Sequence, residues 1–249
     1  MASFYDELAP RYHLIFDDWD ASIRRQGCVL AEIIRAHWPG SSRVLDVSCG
    51  IGTQAIALAI NGFEVEASDI SPRAVERASE EARQRGQDIA FSVCDMREAF
   101  AMHGGGFDLV ISCDNSIPHL LSDSDISAAL RQMFACLRPG GGCLITVRDY
   151  EQEPRGTNIV KPISAVTREG IRYVAFQVWD FDGDCYDLTM FLVGENLSTG
   201  KVATQAMRSR YYAIGIPRLM ALMDEAGFEQ TARLDGAFYQ PVLVGTRPV

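Results

Sequence analysis

Apolar residues in the first 150 positions follow two alternating rhythms. Short apolar runs at 43–47, 63–68, 89–93, 107–113 and 143–147 have the length and composition of buried strands. Between them, stretches at 54–60, 72–85 and 124–137 carry helical spacing. Their ends are punctuated: Ser71 and Pro72 open one helix and Gly86 lies beyond it, while Asn61-Gly62 closes another. Upstream, 20–36 reads as a helix with Ile23, Cys28, Leu30, Ile33 and Ile34 on one stripe, stopped by Pro39-Gly40, and Asp6-Glu7-Leu8-Ala9 starts an earlier one. Strands alternating with helices predict a parallel sheet covered on both faces, with right-handed crossovers.

The rhythm changes after Tyr150. Pro154, Gly156 and Pro162 predict a loop over 151–164. Three strand-like runs follow, at 171–181, 185–193 and 202–212, separated by Asp182-Gly183-Asp184 and by the turn-rich 196–200. A helix at 217–226 ends at Gly227, and last strands fall near 230–234 and 242–246. The expected fold class is α/β: a doubly wound, mostly parallel, seven-stranded Rossmann-like sheet with an inserted small antiparallel β lid and an N-terminal helical cap. The expected division is a cap at 1–40, a ligand-binding α/β core at 41–150, a substrate lid at 151–213 and the end of the core at 214–249.

Composition narrows the classes. At 249 residues the chain is long enough to bury a core without disulfide or metal staples. The 23 basic against 33 acidic residues give a net charge of −10, which argues against a nucleic acid or anionic membrane partner. No apolar run approaches a membrane span, and the first residues lack the pattern of a secretory signal, so a cytoplasmic protein is expected. Seven cysteines without C-x-x-C spacing and four scattered histidines predict reduced thiols and no metal site.

The stretch Asp46-Val47-Ser48-Cys49-Gly50-Ile51-Gly52 holds the most chemistry. A glycine turn between a strand and its helix lets a ligand approach the backbone. Asp69, at the end of the next strand, suits a pair of ribose hydroxyls. An adenosine-containing ligand follows. Gly50-x-Gly52-x-x-Ala55 also passes a relaxed dinucleotide fingerprint. Against that reading, Asp46 is awkward beside a pyrophosphate and suits a ligand bearing an ammonium group. The chain also ends in a late helix and two strands, not a second nucleotide-binding half.

The segment 46–53 resembles motif I of class I S-adenosylmethionine-dependent methyltransferases, Asp69 its motif II acid, and Cys94-Asp95-Met96 its adenine clamp. The run 107–113 and Leu137-Arg-Pro-Gly-Gly-Gly142 match later motifs. Within that class the chain is most similar to the glycine/sarcosine N-methyltransferase group. The similarity lies in Asn115-Ser116-Ile117-Pro118-His119-Leu120, in Arg148-Asp149-Tyr150, in Arg24 placed 22 residues before Asp46, and in Arg210-Tyr211-Tyr212. Asp114 and Asp149 depart from that group, which has Gly and Asn there.

The resemblance implies S-adenosylmethionine as cofactor, with S-adenosylhomocysteine as product. It implies a site built from Ser48, Gly50, Gly52, Asp46 and Cys113 around the methionine part, with Arg24 on its carboxylate. Asp69 and Ile70 would meet the ribose, Asp95 and Met96 the adenine. Tyr5, Tyr12 and Trp19 are aromatic candidates for the sulfonium. Asn115, His119 and Arg148 are the candidate catalytic residues, and Asn115, Arg148, Tyr211 and Tyr212 the candidate substrate contacts. His119 reads as a general base, a cofactor contact or a structural histidine. Arg148, emerging where a buried strand ends, reads as an anchor for a carboxylate or as an ion-pair partner of Asp149 or Asp114. The implied acceptor is a small, carboxylate-bearing amine, and assembly into a homo-oligomer is left open. The alternatives are O-methylation of a carboxylate or natural-product hydroxyl, a nicotinamide-dependent oxidoreductase, and a protein that binds the cofactor without turnover.

Overall fold

The fold was analysed in a computed structural model that describes residues 2–249. The chain begins with α1 (Ala2–Leu8), a 3-10 stretch (Ala9–Ile15) and α2 (Trp19–His37). The α/β alternation follows as β1 (Arg43–Asp46), α3 (Thr53–Ile60), β2 (Glu64–Asp69), α4 (Pro72–Gln84), β3 (Ala90–Val93), α5 (Ala99–His103), β4 (Phe107–Ser112), α6 (Asp123–Cys136) and β5 (Leu137–Thr146). Four long strands come next: β6 (Ile159–Arg168), β7 (Ile171–Asp182), β8 (Cys185–Asn196) and β9 (Val202–Tyr212). The chain closes with α7 (Ile216–Glu225), β10 (Glu229–Leu234) and β11 (Val242–Thr246).

Seven strands form one sheet in the order β10-β11-β5-β4-β1-β2-β3. Neighbours from β5 to β3 are parallel, whereas β11 runs antiparallel to both β5 and β10. Side chains of β4 alternate between the two faces, as the pleat requires. Val110 joins Leu130, Met133, Leu219 and Leu222 under α6 and α7; Leu109 and Ile111 join Leu30, Ile34 and Trp38 under α2. Each such side chain contributes about 1.5–3 kcal/mol by leaving water. Helix starts are capped where the sequence offers a cap: Asp18 accepts from the Ala21 N–H (2.9 Å), Ser71 from Ala74 (3.1 Å) and Ser122 from Asp125 (3.2 Å).

The second sheet has four antiparallel strands, β6-β7-β8-β9, not the three that the pattern predicts. The missed strand is β6. It contains Pro162, which cannot donate to a ladder, and the register slips between Pro162 and Ser164. An edge position makes both tolerable. Alternate residues of this sheet, among them Trp179, Tyr186, Leu188, Met190 and Tyr211, face inward against Phe4, Leu8 and Leu14 of the N-terminal segment. The short helix α5 is also absent from the pattern, being five residues before a glycine run.

Asp6 fastens the N-terminal segment at a second place. Its Oδ1 accepts from Ser71 Oγ (2.6 Å) and from the Arg73 N–H (3.2 Å) at the start of α4. No described helix is long and apolar enough to cross a membrane.

Candidate active site

β1 lies between β4 and β2, where the strand order turns from one direction to the other. In an open α/β sheet this is where a crevice opens beyond the strand ends. The chain leaves β1 through a tight turn with Gly50 at φ 53° and Gly52 at φ 91°, both left-handed. The turn is pinned by Gly52 N–H to Cys49 O (2.8 Å), by Cys49 N–H to Ser68 O (2.9 Å) and by Gly50 N–H to Asp69 Oδ2 (2.9 Å). The other Asp69 oxygen accepts from the Ser71 N–H (2.9 Å), and burial raises the Asp69 pKa.

A cavity of about 870 Å³, mouth included, opens over this turn. Tyr5, Tyr12, Ser48, Gly50, Asp69, Ile70, Asp95, Met96, Cys113 and His119, each singled out from the sequence, line it. Asp95 caps the 3-10 turn at Met96–Glu98 by accepting from the Arg97 N–H (2.9 Å), and it is ion-paired with Arg97.

Four expected cofactor contacts lie elsewhere. Asp46 is buried behind the turn: Oδ1 accepts from the Ser48 N–H (3.1 Å), Oδ2 has no partner among the described residues, and burial pushes its pKa up to about 7. Gly52 serves the backbone, where a Cβ would stand 2.9 Å from Ile56. Trp19 packs inside, donating to Thr53 Oγ1 (2.9 Å) beneath the Arg85 guanidinium. Arg24 is exposed and lines neither cavity, so the arginine that reaches a cavity from α2 is Arg25. One position on a helix is a 100° rotation, and the motif spacing did not resolve which of the adjacent arginines faces inward.

A second, larger chamber of about 1540 Å³, mouth included, lies between the glycine-turn end of the sheet and the inward face of the four-stranded sheet. Asn115, Arg148 and Tyr211 line it; Tyr212 does not. Successive residues of β9 point to opposite faces, and the Tyr212 hydroxyl donates to Asp123 (2.9 Å) on the far side. Tyr5, Tyr12 and Asp114 line both cavities and form their common wall.

Asp114 and Asn115 turn the chain back from β4 with φ of 57° and 65°. Asp and Asn tolerate this left-handed region better than other L-residues. Asn115 knits the turn together: Oδ1 accepts from the Arg148 N–H (3.0 Å) and Nδ2 donates to the Tyr150 hydroxyl (2.8 Å). The Arg148 guanidinium lies 4.6 Å from the Trp179 ring centroid and pairs with Glu153 (3.3 Å), which also holds Lys161. The ion-pair partner of Arg148 is therefore Glu153, and Asp149 pairs with Arg233 instead. Two cations against one carboxylate leave this wall positive.

His119 is 4% exposed. Its Nε2 meets the Tyr5 hydroxyl at 2.8 Å, and its ring centroid lies 3.9 Å from that of Tyr211. Burial pushes its pKa down to about 3, so the ring is neutral at physiological pH and too weakly basic for an efficient general base. Of the lining residues, Tyr239 and Gln240, from the loop before β11, and Tyr186, from β8, carry no motif and were not legible. No group of three metal-ligating side chains occurs among the described residues.

Residues 44–141 match a family model described as a methyltransferase domain. These residues form a methyltransferase domain. The domain runs from β1 into β5 and contains the glycine turn, Asp69 and Asp114. The chain is 33% identical over 144 residues to a glycine/sarcosine N-methyltransferase of Parasynechococcus marenigrum, a match covering 58% of this chain and 50% of that protein. It is 32% identical over 170 residues to glycine N-methyltransferase of Rattus norvegicus, covering 61% and 57%. It thus spans about half the length of the curated relatives it matches. Among solved structures, CalS10, an amino pentose methyltransferase from Micromonospora echinaspora with S-adenosylmethionine bound, superposes with a TM-score of 0.78 at 23% identity, over 91% of this chain and 92% of that one. A methyltransferase domain and the antiparallel pair β10–β11 both oppose the dinucleotide alternative.

Proposed function

We propose that the chain transfers a methyl group from S-adenosylmethionine to the nitrogen of a small amine, with glycine- and sarcosine-type acceptors as the first candidates. One observation carries the reading: the glycine-turn cavity and the charged chamber share a wall made of Tyr5, Tyr12 and Asp114. The first cavity fits the donor. Asp69 offers a buried carboxylate for ribose hydroxyls and Met96 an apolar face for adenine, while Asp46 stands behind the turn and braces it through the Ser48 N–H.

When bound, the cofactor supplies a methyl group on a positive sulfur, already activated for displacement. The protein's task is then positioning and exclusion of water. Tyr5 and Tyr12 line the junction, and aromatic rings there favour a cation. Arg148, on the positive wall, holds the acceptor's carboxylate. The amine lone pair forms the new C–N bond as the C–S bond breaks, with that electron pair staying on sulfur. An acceptor that arrives as an ammonium gives one proton to water before its nitrogen can attack.

The test is a turnover assay with S-adenosylmethionine and a panel of glycine, sarcosine, dimethylglycine, other amino acids and amino sugars. S-adenosylhomocysteine above the no-acceptor control, with a mass gain on nitrogen, is expected. Arg148→Ala should raise KM for carboxylate-bearing acceptors about tenfold or more, near 1.4 kcal/mol. No product with any amine overturns the reading. A larger amine, such as an amino sugar, is the second reading, favoured by a chamber far roomier than glycine fills. It predicts turnover of the amino sugars and none of glycine.

A further inference from the structure

We infer that Asp114 is the residue that selects the acceptor, by holding its amine as a cation at the junction of the two cavities. The inference deepens the N-methyl transfer reading and rests on it. Three acidic side chains line the chamber: Asp114, Asp149 and Glu153. Asp149 is paired with Arg233 (2.7 Å), and Glu153 with Arg148 and Lys161. Asp114 has no cationic partner among the described residues. It is also the one of the three that lines the donor cavity.

Its surroundings hold it ready for a cation. The Tyr239 hydroxyl donates to Oδ1 (2.8 Å), with Gln240 Nε2 at 3.5 Å from the same oxygen. Its own N–H donates to Thr146 Oγ1 (2.7 Å), so the left-handed turn is fixed from behind. Oδ2 makes no hydrogen bond among the described residues. Burial raises the Asp114 pKa, and the Arg148 charge, beyond ion-pair distance, offsets that only in part; an ammonium in contact removes the remaining cost. The neighbouring titratable groups do not compete for the role. His119 is neutral and engaged by Tyr5, burial raises the Tyr12 pKa, and the Tyr239 hydroxyl is itself a donor to Asp114. With Arg148 on the opposite sign of charge, the chamber matches a zwitterion: cation toward the donor, anion away from it.

The test separates recognition from turnover. Protein saturated with S-adenosylhomocysteine at pH 7.5 is titrated, by NMR, with sarcosine ethyl ester, a cationic amine with its carboxylate masked, and with the neutral N-acetyl form of the same ester. Wild type is expected to bind the cation at least tenfold more tightly. Asp114→Asn keeps the shape and the left-handed backbone, and should bring the two probes within twofold. The thermal midpoint of the loaded variant verifies that it is folded. Equal binding of both probes by wild type, or an undiminished preference in the variant, overturns the inference. Absence of methyl transfer in the turnover panel, with the cation preference intact, overturns the reaction instead.

Discussion

At the scale of single residues, two buried groups pull acid stability in opposite directions. Asp46 has its carboxyl pushed up to about 7 by burial, so the folded chain binds this proton more tightly than the unfolded one. The stability it contributes is complete below the ordinary carboxyl pKa of 3.8 and is lost as pH rises through about 7. Asp46→Asn in the ligand-free protein should be neutral near the low end of that window. At pH 8 it should be stabilising, on the order of 2 kcal/mol in urea denaturation. His119 has the reverse sign. Its depressed pKa gives stability that is present above the ordinary 6.5 and lost as pH falls toward about 3. NMR titration should find its ring still neutral at pH 5, and the pH profile of kcat should carry no inflection from it near 6.5. The sequence marks both residues as site candidates. Their burial, and hence their protonation, depends on packing that no local pattern encodes.

At the scale of elements, two glycines set how closely layers approach. A Cβ on Gly142 of β5 would fall 2.1 Å from the Trp38 ring at the end of α2. A Cβ on Gly27 of α2 would meet Ala57 O at 2.8 Å, where α2 crosses α3. Gly142→Ala and Gly27→Ala should each cost about 1–3 kcal/mol by overpacking, read as a lower denaturation midpoint at unchanged slope. The α/β alternation was legible because apolar runs, caps and turn residues agree along 43–147. β6 was not, because Pro162 and the glycine before it signal a loop unless an edge position is known. Arg24 and Tyr212 failed for a related reason: the motif resemblance names a position, but the face of the helix or strand decides whether it reaches the cavity. Asp114 stood out only as a departure from the related group. Its meaning came from ion pairs made by residues far away in the chain.

At the scale of the whole molecule, the N-terminal segment is the part shared by everything else. Phe4, Leu8 and Leu14 pack on the four-stranded sheet, Tyr5 and Tyr12 wall both cavities, and Asp6 is bonded to the start of α4. Saturation with S-adenosylhomocysteine should therefore slow proteolysis within residues 2–16. A variant lacking Phe4 and Leu8 side chains should show faster cleavage together with weaker cofactor binding. Unchanged cleavage on saturation would mean that the segment is docked independently of the ligand.

The Asp6 contact adds a thermodynamic constraint. Ser71 stands between two carboxylates, its hydroxyl bonded to Asp6 and its N–H to Asp69. The clasp on the N-terminal segment and the carboxylate facing the donor cavity thus share one residue. Linkage then requires reciprocity: whatever factor the closed clasp adds to donor affinity, the donor must add to the closure constant of the clasp. Asp6→Ala should weaken S-adenosylhomocysteine binding and reduce its protective effect by the same factor, so that a calorimetric Kd and a proteolysis rate, measured separately, report a single coupling free energy.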